Sequence, residues 1–281
     1  MKFGIHAGLW MKTWEDDLAP IFATAAEIGF DGAEVSLLGI GRDRAKAIGV
    51  LAAQYGLELT CSTGLGPEAD PTSADPVVRK TAEAVLTDAI EVTALLGSKR
   101  LAGVVAAPWG VFDPLNKTAR AERSAQTLGL LDGVLAYNGV KLGIEALNRF
   151  ESDMTSTAAE TCALARATGS KHIGALLDSF HMNIEEKAPS DAIRAAKDTL
   201  CHYHVSENDR GVPGSGHYDF PADAAALKEI GYTGWVVAEM FIIAGNPASR
   251  DLNIWRDIEP DPTRAATQTL AYLRKVFSDV C

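Results

Sequence analysis

The chain has 281 residues, of which 47% are hydrophobic, and 26 Lys and Arg stand against 37 Asp and Glu. This composition excludes an intrinsically disordered or collagen-like chain. The net charge of −11, with no basic run longer than two residues, also argues against binding to nucleic acid or to a membrane surface, because phosphate backbones and anionic lipids attract basic surfaces.

The sequence carries no signal for export or membrane insertion. Its start, Met1-Lys2-Phe3-Gly4-Ile5, lacks the apolar core of a signal peptide, and no stretch reaches the ~18 apolar residues of a membrane span. We therefore expect a cytoplasmic protein. We also expect its scattered cysteines to be reduced and mostly buried in packing positions. They are Cys61, Cys162, Cys201 and Cys281.

Short apolar or β-branched runs alternate with amphipathic stretches along the whole chain. This alternation is typical of βα units on a parallel sheet. The pattern predicts eight strands, each followed by a helix. The strands are expected at 3–7, 33–37, 57–62, 100–105, 141–145, 173–178, 201–206 and 235–239.

The clearest helical signal covers 76–96. Asp75 is a suitable N-cap, Pro76 occupies the first helical position, and Gly97 marks the end. A second Asp-Pro pair, at 261–262, predicts the start of the last helix in the same way.

Eight such units in 281 residues, about 35 residues each, match the size of a (β/α)8 TIM barrel. No linker or change of composition divides the chain, so we expect one barrel domain over 1–281. A doubly wound α/β sheet is the alternative. Against it, the first turn, Ala7-Gly8-Leu9-Trp10, has no GxGxxG fingerprint, and no GxxxxGK[ST] phosphate loop occurs.

Polar residues occur where four consecutive strands end. Glu145, Asp178 and Glu239 end strands five, six and eight, and His204 lies in strand seven. Each residue alone also fits a structural role, as an ion-pair partner or a core histidine. Together, three carboxylates and an imidazole at one barrel mouth would repel one another without a cation between them, so the set indicates a divalent metal site.

Three further polar residues fall in loops on the same face. Glu151 follows strand five, His181 follows strand six and Arg210 follows strand seven. These side chains either hold substrate oxygens or, for Glu151 and Arg210, form a solvated loop pair.

Four segments resemble the D-tagatose 3-epimerase / D-psicose (D-allulose) 3-epimerase family, which also includes L-ribulose 3-epimerases. They are IEALNRFES (144–152), LDSFHMNIEE (177–186), HVSENDRGVPGSG (204–216) and EMF (239–241). The resemblance covers essentially the whole chain, beginning with the segment 2–6. It implies a xylose isomerase-like (β/α)8 barrel.

The resemblance also implies roles for the four strand-end residues. Glu145, Asp178, His204 and Glu239 match the family's ligands for one divalent ion, which we expect to be Mn2+, with Co2+ or Mg2+ as alternatives. Glu145 and Glu239 match its two acid/base carboxylates.

Further residues match positions that contact the sugar. The position of His6 is often Tyr or Phe in this family, so substrate preference does not transfer directly; His6 also fits a strand histidine that is hydrogen-bonded in the barrel mouth. The expected contacts are Glu151, His181 and Arg210 near O1 and O2, and Trp14, Trp109, Phe241 and His6 around C4 to C6.

The resemblance implies a ketose 3-epimerase acting on free ketohexoses and ketopentoses such as D-tagatose, D-psicose, D-fructose and L-ribulose. The C3 hydrogen lies next to the C2 carbonyl, and a bound metal would stabilise the cis-enediolate formed when it leaves. Two carboxylates on opposite faces would then remove and return the proton. Strands five and eight lie three steps apart in the barrel, so Glu145 and Glu239 can approach a bound sugar from different sides.

Other functions remain open at this point. An aldose–ketose isomerase of the xylose isomerase type would use two metals and a hydride shift, and a hydroxypyruvate isomerase would have a smaller pocket. A metal-dependent nuclease would need more histidine ligands and a basic groove. A non-catalytic sugar-binding protein would not need the second carboxylate. Family members are usually homodimers or homotetramers, and the loop 246–260 is expected to reach a neighbour or cover the site.

Overall fold

Eight parallel strands close into a barrel in chain order, which confirms the predicted (β/α)8 architecture. The structure is a computed structural model that describes residues 1–245, 249 and 252–277. Every predicted strand is present, with ends that differ by two residues or fewer. The strands are β1 Lys2–His6, β2 Gly32–Ser36, β3 Glu58–Gly64, β4 Arg100–Val104, β5 Lys141–Glu145, β6 Ile173–Asp178, β7 Leu200–Val205 and β8 Trp235–Ala238.

Helices surround the barrel. As predicted, Pro76 begins the third helix, and the Asp75 side chain accepts a hydrogen bond from the Val77 amide. The intervals β4–β5 and β6–β7 each contain two helices. In the described residues the helices are α1 Ala19–Ile28, α2 Arg42–Gln54, α3 Pro76–Leu95, α4 Lys117–Gly129, α5 Asp132–Asn138, α6 Ala158–Ala167, α7 Ser179–Glu185, α8 Pro189–Ala195, α9 Phe220–Glu229 and α10 Pro262–Phe277.

Two paired glycines in neighbouring strands make room for a large side chain inside the barrel. Gly4 of β1 is in register with Gly32 of β2. A Cβ at Gly32 would lie 2.6 Å from the Trp235 ring and 2.3 Å from the Glu58 carbonyl oxygen. The Trp235 indole therefore fills the amino-terminal end of the barrel, and the polar residues lie towards the other end.

Side chains of a strand alternate between its two faces, and β7 shows the consequence. His202 and His204 point into the barrel, where they contact Glu34 of β2. Tyr203 points outwards and donates a hydrogen bond to Asp223 of α9. The interior of the barrel is therefore polar near the carboxyl ends of its strands.

Cys61, Cys162 and Cys201 are free and buried, as expected. Cys281 lies outside the described residues. None of the described helices combines the length and apolar character that crossing a bilayer requires.

Candidate active site

The four residues predicted as metal ligands come together at the carboxyl ends of the strands. One ligand atom each from Glu145, Asp178, His204 and Glu239 lies within 4.8 Å of the others. Asp178 and His204 are fully buried, and the other two are nearly so. The strand order produces this arrangement, because β5 to β8 are consecutive parallel neighbours whose carboxyl ends lie at the same mouth of the barrel.

The donor set fits a divalent cation. It offers three carboxylates and one imidazole, which suit manganese, cobalt or magnesium better than the thiolate sites that select softer metals. His204 Nδ1 lies 3.6 Å from Glu239 Oε1, and within the described part of the chain it has no hydrogen-bond partner. A buried nitrogen without a partner, facing three carboxylates, is in position to coordinate an ion.

Arg210 connects this group to the loop between β7 and α9. Its Nη1 lies 3.0 Å from Asp178 Oδ2 and 3.1 Å from Glu239 Oε2, and its guanidinium stacks 4.0 Å above the Phe180 ring. The Arg210 backbone has a φ of 67°, which is unfavourable for a residue other than glycine. The surrounding loop must therefore hold it in place.

A buried carboxylate organises that loop. Glu207 accepts hydrogen bonds from the backbone amides of Gly214 and Tyr218, at 3.0 and 2.8 Å. The Arg210 amide in turn donates to the Glu207 carbonyl oxygen. These bonds close the turn that presents the Arg210 side chain to the barrel mouth.

His181 has a defined orientation. Its Nδ1 accepts a hydrogen bond from the Asn148 amide at 3.1 Å, so the neutral ring carries its proton on Nε2. Nε2 lies 3.5 Å from Glu145 Oε1 and 3.3 Å from Arg210 Nη2. His181 can therefore donate a hydrogen bond into the site.

Glu151 belongs to the same network. It accepts hydrogen bonds from Asn148 Nδ2 at 2.9 Å and from Trp109 Nε1 at 3.3 Å, and it lies 3.6 Å from Arg210 Nη2. Glu151 and Arg210 are both buried, which rules out a solvated loop pair. Trp109 thus contacts Glu151, at the polar end of the site, whereas the sequence predicted it only around C4 to C6 of the sugar.

A cavity of about 320 Å³ opens above the four strand-end residues. All the sequence-predicted contact residues line it, and so do Glu145 and Glu239. Leu252 also contributes, so part of the predicted 246–260 loop covers the cavity; residues 246–248 and 250–251 lie outside the described residues. Lining residues that the sequence did not indicate are Ser36, Leu38, Ser62, Thr63, Gly64, Leu65, Gly66, Gly103, Val104 and Leu147.

His6 lines the cavity and is also hydrogen-bonded in the barrel mouth. Its Nδ1 accepts a hydrogen bond from the Gly8 amide at 3.1 Å, and its Nε2 lies 3.0 Å from Ser62 Oγ. Burial lowers the pKa of His6, which favours the neutral ring. His6 therefore presents Nε2–H to Ser62 on the wall of the cavity.

The two candidate acid/base carboxylates differ in their surroundings. Burial raises the pKa of Glu145, although contact with His181 opposes this. Burial acts in the same direction on Glu239, but His204, His6 and Arg210 outweigh it and hold the pKa of Glu239 below its usual value. Burial and the neighbouring charges of the protein therefore shift the pKa values of Glu145 and Glu239 in opposite directions.

The sequence did not indicate the residues beneath this site. Glu34, Thr60 and His202 are fully buried. Glu34 contacts both His202 and His204, and Thr60 donates a hydrogen bond to Glu34. Two signals were available: a carboxylate in the middle of the apolar segment GAEVS, and the His-x-His spacing that puts His202 on the same face of β7 as His204.

Comparisons with known proteins agree with the barrel fold and identify similar epimerases. A family model described as a xylose isomerase-like TIM barrel matches residues 22–276. D-Psicose 3-epimerase of Agrobacterium fabrum is 32% identical over 92% of this chain and 91% of that protein, and L-ribulose 3-epimerase of Mesorhizobium japonicum is 32% identical over 97% and 93%. The structure of D-psicose 3-epimerase with D-tagatose from Clostridium cellulolyticum H10 superposes with a TM-score of 0.94 at 32% identity, covering 99% of both chains.

Proposed function

We infer, from the fact that this chain belongs to the ketose 3-epimerase family, that it inverts C3 of free ketoses with the help of a bound divalent cation. The observation that carries this proposal is the group of Glu145, Asp178, His204 and Glu239, in which two carboxylates reach the same cavity from β5 and β8. The names of the relatives, which act on D-psicose and L-ribulose, support the class of substrate.

The cation that we propose is Mn2+, with Co2+ or Mg2+ as alternatives. Glu145, Asp178, His204 and Glu239 would hold it. A divalent ion in this position supplies Lewis-acid polarisation of the C2 carbonyl, which makes the hydrogen on C3 more acidic.

Glu145 and Glu239 would carry the proton transfer. One carboxylate takes the proton from C3 on one face of the sugar, and the other returns a proton on the opposite face. In the reverse reaction the two exchange roles. The positions of β5 and β8, three strands apart around the barrel, support an approach from different sides.

Three further side chains would orient the sugar. Arg210 and the Nε2–H of His181 are donors that suit the oxygens near C1 and C2, and the Glu151 carboxylate is an acceptor for a hydroxyl group. Because these groups already contact one another and the ligand residues, they would hold the sugar with little further loss of entropy.

The cavity favours an unphosphorylated monosaccharide. Its volume of about 320 Å³ is at the lower end of the range for small-molecule sites. Among the described residues that line it, Arg210 is the only Arg or Lys, and it is already paired with Asp178 and Glu239. A phosphate group would therefore find no free cationic side chain there.

Product analysis tests this proposal. The metal-loaded protein is incubated separately with D-fructose, D-tagatose, D-psicose and L-ribulose, and the catalytic efficiencies are ranked. We expect the C3 epimer of each sugar to form. Products of C1–C2 isomerisation alone would overturn the proposal in favour of an aldose–ketose isomerase.

One observation favours that second candidate. Glu34, His202 and His204 form another group whose ligand atoms lie within 4.8 Å of one another, and the xylose isomerase type of reaction commonly uses two ions. Elemental analysis of the purified protein discriminates between the two: one ion per chain supports the epimerase, and two tightly bound ions support the isomerase.

We also propose that the chain forms a homodimer or homotetramer. Phe112, Leu115 and Phe150 are exposed apolar side chains in the loops that follow β4 and β5. Burying these side chains against a second copy would stabilise an assembly. A sedimentation profile that shows only monomer would contradict this proposal.

A further inference from the structure

A carboxylate lies directly behind the histidine of the proposed metal site. Glu34 of β2 meets His202 and His204 of β7 across the interior of the barrel, where all three are fully buried. Glu34 Oε1 lies 2.8 Å from His204 Nε2, and Glu34 Oε2 lies 2.7 Å from His202 Nε2. Thr60 donates a hydrogen bond to Oε2 at 2.8 Å.

Glu34 and His204 each bring a buried polar atom to this contact. Within the described residues, Glu34 Oε1 and His204 Nε2 have no hydrogen bond of regular geometry, yet they lie in contact with each other. Each is therefore the natural partner of the other, and a small rotation of the His204 ring would align them.

The two nitrogens of His204 face different groups. Nε2 faces Glu34, whereas Nδ1 faces Glu239 at 3.6 Å. An imidazole binds a metal through the nitrogen that has no proton, and an acceptor at the other nitrogen decides which nitrogen that is. A carboxylate at Nε2 keeps the proton there and leaves the Nδ1 lone pair directed at the ligand group.

A second metal ion between Glu34 and the histidines fits the distances less well. Ligand atoms bound to one ion at about 2.1 Å are separated by about 3 Å or more. The separations of 2.7 and 2.8 Å are instead those of direct polar contacts between a carboxylate and two imidazoles.

We propose that Glu34 is a positioning residue for the metal site: it holds the proton of His204 on Nε2 so that Nδ1 coordinates the cation, while His202 and Thr60 fix the carboxylate in place. This inference rests on the proposed metal-dependent function, since it assigns a role toward that ion. It adds a residue from the opposite side of the barrel to the four proposed ligands.

Measurement of Mn2+ affinity tests the proposal, with Glu34→Gln as the variant. The glutamine oxygen can accept from His202 and Thr60, but its NH2 group then faces His204 Nε2 and draws the proton to Nδ1. We expect the dissociation constant for Mn2+ to rise about 10- to 100-fold. Asp223→Asn is the matched control, because it removes another buried carboxylate that does not contact His204, and it should bind Mn2+ like the wild type.

A second measurement needs no variant and so does not depend on its folding. NMR of the Zn2+-loaded wild-type protein, with 15N-labelled histidine, should show the His204 proton on Nε2. A proton on Nδ1 would overturn the proposal, as would an unchanged Mn2+ affinity in folded Glu34→Gln. Two tightly bound ions in the wild type, one of them lost in Glu34→Gln, would show that Glu34 binds a second metal ion and would overturn its role in positioning His204. A wild type without affinity for Mn2+ overturns the proposed function itself, and this inference with it.

Discussion

The two ends of the cavity are built from different interactions. At the polar end, Asp178, His181 and Arg210 are at most 3% exposed, and each contacts two or more charged groups. At the far wall, around Leu38, aromatic and aliphatic surfaces predominate, and the Leu38 side chain is 56% exposed.

This difference suggests that the polar end serves the reaction and the far wall serves the choice of sugar. Charges that contact several partners in a buried site have few alternative positions, which suits groups that must meet a reacting carbon precisely. Apolar surfaces distinguish small changes in a ligand by only ~1–3 kcal/mol. We therefore expect substitutions at the polar end to reduce the rate strongly, and substitutions at the far wall to alter the choice of sugar.

The largest expected effect comes from the two carboxylates of the proposed proton transfer. Glu145→Gln and Glu239→Gln should each lower kcat for epimerisation by about 10²–10⁴-fold, since an amide cannot take up the C3 proton. In D2O each variant should still exchange the C3 hydrogen of one epimer, through the carboxylate that remains. NMR of the recovered sugars measures this exchange.

Metal content provides the control for that experiment, because both residues are also proposed ligands. The comparison is made at Mn2+ concentrations that saturate each variant. If saturated Glu145→Gln and Glu239→Gln each exchange both epimers, a two-base reaction is excluded.

Arg210→Lys tests the polar end without removing its charge. Lysine cannot reach Asp178 and Glu239 with the same fork or stack equally on Phe180. We expect kcat/KM to fall about 10- to 100-fold, as for the loss of a hydrogen bond to a charged group. Steady-state kinetics provide the measurement.

A matched control is available next to the same loop. Arg256 pairs with Asp209 but is largely exposed, so Arg256→Lys should leave kcat/KM nearly unchanged. Equal losses in the two variants would show that Arg210 has no specific role.

The cavity wall beside Ser62 is tested by His6→Phe. The phenyl ring takes more space and cannot donate to Ser62, so the ratio of kcat/KM for ketopentose over ketohexose should rise by about tenfold. Mn2+ affinity should stay the same. An equal loss of activity towards all sugars would show instead that His6 contributes to the reaction and not to the choice of sugar.

Asp223→Asn should have the smallest effect on activity. Burial raises the pKa of Asp223 to about 6, although Tyr203 and Tyr218 donate hydrogen bonds to it. The native state therefore binds a proton that the unfolded state releases near pH 4, so the wild type loses stability as the pH rises from about 4 to about 6. Relative to the wild type, the variant should gain Tm over this interval, and thermal unfolding curves at several pH values measure the difference. Parallel dependence of the two Tm values on pH would contradict the assigned pKa.

The sequence predicted the eight strands because the alternation of apolar runs and amphipathic helices is a local property. It predicted Glu145 and Asp178 because strand ends in a barrel share one face. It did not reveal Glu34 behind His204, because that contact depends on closure of the barrel, which brings β2 opposite β7. Glu34 and its neighbouring contact His202 are 168 positions apart in the sequence. It also gave no sign that Phe180 supports Arg210, since an aromatic residue beside a strand end is indistinguishable from ordinary core.

The inversion at C3 through two carboxylates is tested most directly by following hydrogen in D2O. Metal-loaded protein is allowed to convert a ketohexose such as D-tagatose, and the position of deuterium in the product is read by NMR. We predict one solvent deuterium at C3 and none at C1. Retention of the substrate hydrogen at C3, or deuterium at C1 alone, would contradict proton removal and return by Glu145 and Glu239.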